Sequence, residues 1–181
     1  MNLIHLLPIG EPDGGTLDYL CAALSAETGA RCELLVAPFN AEPAFHPGRQ
    51  QYWSTHILVG MQTFLRPDSW RVLAVTSLDL YIPILTFVFG EAQLNGACAV
   101  VSTHRLRQEF YGLPPDPELM LQRALKEAMH ELGHTLALSH CDDYRCVMAP
   151  SHAVEWIDLK GSSLCTTCRA HVGNEVTSAR T

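Results

Sequence analysis

Residues 130–148 read His130-Glu131-Leu132-Gly133-His134-Thr135-Leu136-Ala137-Leu138-Ser139-His140-Cys141-Asp142-Asp143-Tyr144-Arg145-Cys146-Val147-Met148, and the fold turns on this stretch. It opens as HExxH, His130 to His134. On an α-helix, positions i and i+4 share one face with their Cβ atoms about 5–6 Å apart, so both imidazoles reach a single ion. Glu131 is rotated from His130 by about 100°, which stands its carboxylate beside the ion, free to act on a water instead of ligating. Leu132 faces away, into the core. A tetrahedral site needs a third protein ligand, and His140 lies at the right downstream distance. On a continuous helix it would sit about 15 Å further along the axis than His130 and could not reach the same ion. The spacing therefore predicts that the helix ends after His134 and that residues 136–139 leave it. Three neutral imidazoles then keep one position open to water, as in a catalytic zinc site. A bare HExxH arises by chance and a helical histidine is ordinarily a surface or core residue. Specificity comes from the further agreement of His140, Cys141, Cys146 and Met148.

Downstream, Cys141-x4-Cys146 and Cys165-x2-Cys168 offer four thiols as two pairs. This pattern reads as a closed, tetrahedral, structural zinc site. Two disulfides, or three of the cysteines with His171, are the alternatives. The segment after Cys141 is short and rich in Ser, Thr and Cys, cannot build a core of its own, and needs such a staple. Cys21, Cys32 and Cys98 lie apart in apolar stretches and read as small buried hydrophobes.

Upstream, the helix that carries HExxH starts near Asp116 or Pro117. Asp is a good N-cap, Pro is tolerated in the first turn, and Glu118 suits the positive end of the dipole. The expected body before it comprises a buried strand over residues 2–9, a helix over 16–28 stopped by Gly29, and a strand over 31–37. A proline-rich loop over 38–48 and a helix over 49–65 follow. Strands are expected at 71–76, 85–89 and 97–102, with a turn at Asn95-Gly96. The whole is read as one mixed α/β domain over residues 1–181. Residues 1–140 form an N-terminal subdomain with the active-site helix, and residues 141–181 a C-terminal subdomain with the four-cysteine site.

The 181 residues, 48% hydrophobic and 17% charged, are those of an ordinary globular chain. A formal charge of −7 with only 12 scattered Lys and Arg counts against a nucleic-acid partner and against an anionic membrane surface. The apolar runs are broken by Asp79, Pro83 and Gly90, well short of the roughly 20 residues a membrane span needs. The first residues, Met1 to Pro8, lack a basic n-region and a cleavage site. A cytoplasmic monomer is expected, with its cysteines reduced.

From His130 to Cys168 the chain resembles the archaemetzincins, whose pattern is HExxHxxGxxH followed by Cys-x4-Cys-x-Met and a later Cys-x2-Cys. Phe87 to Ala92 and Ser102 to Leu106 are similar to that family as well. The resemblance implies a metzincin-like twisted sheet over a cleft, an active-site helix beneath it, and two zinc ions per chain, one catalytic and one structural. It places Met148 in the Met-turn, an apolar floor under the metal histidines. One position departs from the pattern: residue 137 is Ala where the family has Gly. That Gly commonly takes a left-handed backbone, which costs another residue about 1–2 kcal/mol. Either Ala137 accepts this or the turn is built differently. Leu164, where the family often has Phe, is a milder change.

The expected function is a zinc metallopeptidase, endopeptidase or aminopeptidase-like, acting on peptides or proteins. Zinc sits on His130, His134 and His140, and Glu131 is general base to the attacking water. An extended substrate would add to a sheet edge, with residues 85–92 as that edge. Tyr144 and His152 are downstream polar residues within plausible reach of the metal, although each is more simply structural or solvated. The competing readings are a catalytically silent zinc protein of the same fold and a zinc-ribbon interaction module. Glu131, which a structural site does not need, favours the enzyme over the first. The acidic charge counts against the second.

Overall fold

A computed structural model describes residues 2–178, with side chains to residue 172. The elements run β1 (Leu3–Ile9), α1 (Gly14–Thr28), β2 (Arg31–Leu34), β3 (Phe45–His46), β4 (Gln51–Trp53) and α2 (Ser54–Met61). They continue with β5 (Arg71–Thr76), β6 (Leu80–Tyr81), β7 (Gly90–Ala92), β8 (Cys98–Ser102), α3 (Pro117–Thr135), α4 (Val154–Leu159) and α5 (Thr166–Ser178). The main sheet has the order β2-β1-β5-β8-β7. Its first four strands are parallel, and β7 closes the edge antiparallel to β8. A small second sheet, β3-β4-β6, lies apart from it.

The inner parallel strands β1, β5 and β8 are apolar almost throughout because both faces of the sheet are covered there. Ile4 and Leu6 of β1, Leu73 and Val75 of β5, and Ala99 and Val101 of β8 face one core with α1 and α3. Their alternates Leu7 and Ile9, Val72 and Ala74, and Cys98 and Val100 face a second core with α2. In α1, Leu17, Leu20 and Leu24 recur at helical spacing and are buried. Asp13 caps its start by accepting from the Thr16 amide at 2.9 Å, and left-handed Gly29 ends it.

Three expected elements are corrected. Residues 85–89 form no strand; only Val88 bridges to Leu80, and the sheet edge is β7, beginning at Gly90. The run of Leu, Phe and Val there is the wall of a cleft, apolar because it is enclosed and not because it is paired. Residues 49–65 are not one helix either. Gln51–Trp53 is a strand paired with β6, and the helix starts only at Ser54 and tightens into a 3-10 turn from Gln62. The second strand stops at Leu34, short of residue 37.

Candidate metal centre and catalytic cleft

The start of α3 is set as its sequence indicates: Asp116 accepts from the Leu119 amide at 3.0 Å and Pro117 occupies the first turn. Its far end is over-determined. The Leu138 amide bonds the Gly133 carbonyl at 3.1 Å and the Ala137 amide bonds that of His134 at 3.1 Å, the paired bonds of a Schellman cap. The Asn95 amide adds a second bond to the His134 carbonyl at 3.0 Å. Arg71 reaches Thr135 Oγ1 at 2.7 Å and the Thr135 carbonyl at 3.2 Å. Ala137 sits at φ +62°, so alanine does take the left-handed position. The helix ends at Thr135, residues 136–139 lie outside it, and the chain returns with His140.

The three histidines converge. Donor atoms of His130, His134 and His140 all lie within 4.8 Å of one another, and their rings lie 4.7–5.3 Å apart between centroids. Nδ1 of His130 donates to the Val147 carbonyl at 2.8 Å, and Nδ1 of His134 to the Leu138 carbonyl at 2.7 Å. Both Nε2 atoms are thereby left as acceptors, and they face each other at 3.1 Å. Burial, with Lys160 nearby, pulls His130 down to about 2, and burial lowers His134 and His140 too, so the rings are neutral. Two imidazole lone pairs turned toward one point in this way form a set that could hold a cation. Zn–N bonds of about 2.0–2.1 Å at tetrahedral angles put ligand nitrogens about 3.4 Å apart, close to what is seen.

Glu131 is buried beside them under strand β7. Gly90 makes that possible: a Cβ on it would come within 2.7 Å of Glu131 Cγ and within 2.7 Å of the Val100 carbonyl. Burial, reinforced by the Glu127 and Glu91 carboxylates and opposed by Lys160, raises the Glu131 carboxyl well above its ordinary range. Gly133 serves Met148 in the same way. A Cβ there would meet the Met148 sulfur at 2.3 Å, so the bare backbone lets this fully buried methionine pack against the helix between the two HExxH histidines. A cleft of about 540 Å³ opens over these groups, walled by residues 85–92 on one side and Pro150, Ser151 and His152 on the other.

The four thiols form a second cluster, with Cys141, Cys146, Cys165 and Cys168 sulfurs within 4.8 Å of one another. None is disulfide-bonded. The Cys141 and Cys165 sulfurs are 3.8 Å apart, far from a covalent bond and close to the spacing of thiolates on one Zn2+ with bonds of about 2.3 Å. The Cys168 backbone N–H donates to the Cys165 sulfur and brings that thiol down to about 7, whereas burial pushes the Cys141 and Cys168 thiols up. His171 stands outside the cluster. The Cys141 amide bonds the Met148 carbonyl at 3.0 Å, so the thiol cluster and the methionine turn hold His140 from the C-terminal side.

His152 lines the cleft and packs on Trp156, whereas Tyr144 is exposed against Arg145 and does not line it. Cys98 is buried and Cys21 and Cys32 are half-buried against the core, in keeping with small apolar roles. Glu127 and Lys160 adjoin the site and carried no local sequence signal; they lie 33 positions apart and meet only in the fold.

A helix presenting two imidazoles and a carboxylate, a third imidazole returned by a left-handed turn, and a sheet edge above them define a metallopeptidase domain. Residues 49–174 match the model of peptidase family M54. The chain is 41% identical to the archaemetzincin of Methanocaldococcus jannaschii over 165 residues, 91% of this chain and 89% of that one. It superposes on the archaemetzincin of Methanopyrus kandleri with a TM-score of 0.82 at 34% identity, covering 97% and 96% of the two chains. A zinc-dependent peptidase from Methanocorpusculum labreanum matches with a TM-score of 0.82 at 30% identity, over 93% and 99%. The chain belongs to peptidase family M54, the archaemetzincins, a family of zinc metallopeptidases. Among the described residues no helix is long and apolar enough to cross a membrane.

Proposed function

We propose that the chain hydrolyses peptide bonds with one zinc on His130, His134 and His140 and Glu131 as general base, while Cys141, Cys146, Cys165 and Cys168 hold a second, structural zinc. The observation that carries this reading is the convergence of three neutral imidazoles with a buried carboxylate in one cleft. Zinc, when bound, supplies a Lewis acid that polarises the scissile carbonyl and acidifies a water. Glu131 takes the proton from the attacking water and passes it to the leaving amine. Burial, which raises the Glu131 carboxyl above its ordinary range, favours its holding the proton between those two transfers.

An extended substrate pairs with β7, which lies above Glu131 at the sheet edge. In this reading residues 1–140 supply the sheet and active-site helix, and residues 141–181 form the thiol-stapled subdomain that presents Met148. Unpaired thiols fit a monomer working on peptides or proteins in the reducing cytoplasm.

The test pairs Glu131→Gln with His134→Ala, scoring zinc per chain and cleavage of a peptide library. Glu131→Gln is expected to keep two zinc ions and lose cleavage; His134→Ala is expected to keep one and lose cleavage. A wild-type chain that holds two zinc ions and cleaves nothing, or cleavage unaffected in Glu131→Gln, would replace this reading with that of a silent zinc protein.

A further inference from the structure

Burying charge is costly, yet an enclosed ion pair lies directly behind the histidine cluster. Lys160 follows α4, and its side chain is 0% exposed; that of its partner Glu127 is 4% exposed. Lys160 Nζ lies 2.8 Å from Glu127 Oε1 and 3.2 Å from the Ala149 carbonyl. It also approaches His130 Nδ1 at 3.5 Å. That nitrogen already donates its proton to the Val147 carbonyl, so it offers the ammonium no lone pair, and the contact is one of packing and charge. Ser151 Oγ donates to the same Glu127 oxygen at 3.4 Å. One ammonium thus joins α3 one turn before Glu131, the carbonyl after Met148, and the back edge of His130.

Stability is a poor account of this arrangement. Desolvation costs several kcal/mol per ion, and replacing a buried pair by packed apolar side chains is often neutral or stabilising. What the pair does supply is a fixed separation between α3 and residues 147–149. Two features of the metal centre depend on that separation: the Val147 carbonyl that orients His130, and the Met148 sulfur seated on Gly133. Partners of this kind behind a metal-bound imidazole set its tautomer and direction.

We propose that Lys160 is a positioning residue for the histidine metal site: by clamping the Ala149 carbonyl to Glu127 it sets the turn whose Val147 carbonyl aims His130 Nε2 at the metal. The inference rests on the reading of His130, His134 and His140 as ligands.

The test loads the full chain with Co2+, whose d–d absorption at an imidazole site and sulfur-to-metal charge-transfer bands at a thiolate site report the two centres separately. Affinities come from competition with a chelator. Lys160→Met is expected to weaken the imidazole site about 10- to 100-fold and leave the thiolate site unchanged. Because Lys160→Met orphans Glu127 and endangers the fold, the double variant Lys160→Met/Glu127→Leu is measured beside it. The double variant is expected to regain thermal stability but not metal affinity. Wild-type affinity in the double variant would mean that Lys160 only neutralises Glu127, and would overturn the proposal, as would unchanged affinity in Lys160→Met. A wild-type chain with thiolate bands and no imidazole-site absorption would instead refute the ligand assignment itself, and this inference with it.

Discussion

Replacing Ala137 by glycine should make the protein more stable. Ala137 occupies the left-handed position of the cap that ends α3, at φ +62°. For an L-residue with a Cβ this backbone costs about 1–2 kcal/mol, which glycine would not incur. Glycine also widens the unfolded ensemble, which returns about 0.4–1 kcal/mol of that gain. Ala137 is exposed, so losing its methyl removes little apolar burial. The difference is a stabilisation of about 0.5–1 kcal/mol, or about 1–4 °C in Tm for a chain of this size. Ala137→Val should move the other way, since a β-branched residue at positive φ is a marked outlier. The assay is urea unfolding of zinc-saturated protein for the three chains at one fixed free zinc concentration, because bound metal itself adds to apparent stability. The placement of His140 should be unchanged, so zinc affinity at the histidine site should be equal in Ala137→Gly and wild type. An Ala137→Gly chain no more stable than wild type, at unchanged m, would refute the strained-cap reasoning.

Gly90→Ala should disable the site from above. Its Cβ would press on Glu131 Cγ and the Val100 carbonyl, so about 1–3 kcal/mol of stability is lost and kcat falls on the order of 100-fold from a displaced base, with metal content retained. Cys165→Ser should remove one metal per chain and cost about 3 kcal/mol or more, read by metal analysis and calorimetry; an unaltered Tm would show that the thiol cluster staples nothing. Cys98, fully buried, has its thiol pushed from 9.0 up to about 11 by desolvation. The fold thus favours the protonated form, a contribution that is whole below pH 9 and lost as the pH rises from there toward 11. Iodoacetamide at pH 8 should therefore spare Cys98 in the native chain while labelling it in urea; equal native labelling of Cys98 and half-buried Cys21 would contradict this.

Local chemistry was legible without coordinates. The spacing of His130 and His134 on a helical face, the Asp116-Pro117 start and the need for residues 136–139 to leave the helix all follow from covalent spacing and helix geometry, whereas the four cysteines read as two pairs whose meeting only the fold shows. Those constraints act over a few residues and do not depend on what packs nearby. The apolar run at 85–89 misled because Val, Leu and Phe suit a strand and a cleft wall equally well. Only a partner edge decides between them, and the partner edge here is taken by residues 90–92. Gly90 looked like an interruption and is instead the gap that admits Glu131 beneath the sheet. Ala137 left the shape of the turn open, and packing settled it: six hydrogen bonds gathered on the last three carbonyls and side chain of α3 hold the alanine where glycine is usual. Lys160 and Glu127 meet through the return of the chain after α4. Residue type and spacing already single out the atoms able to bind metal; which backbone groups and buried charges aim them emerges only on folding, because aim depends on contacts between segments whose separation along the chain carries no period to read.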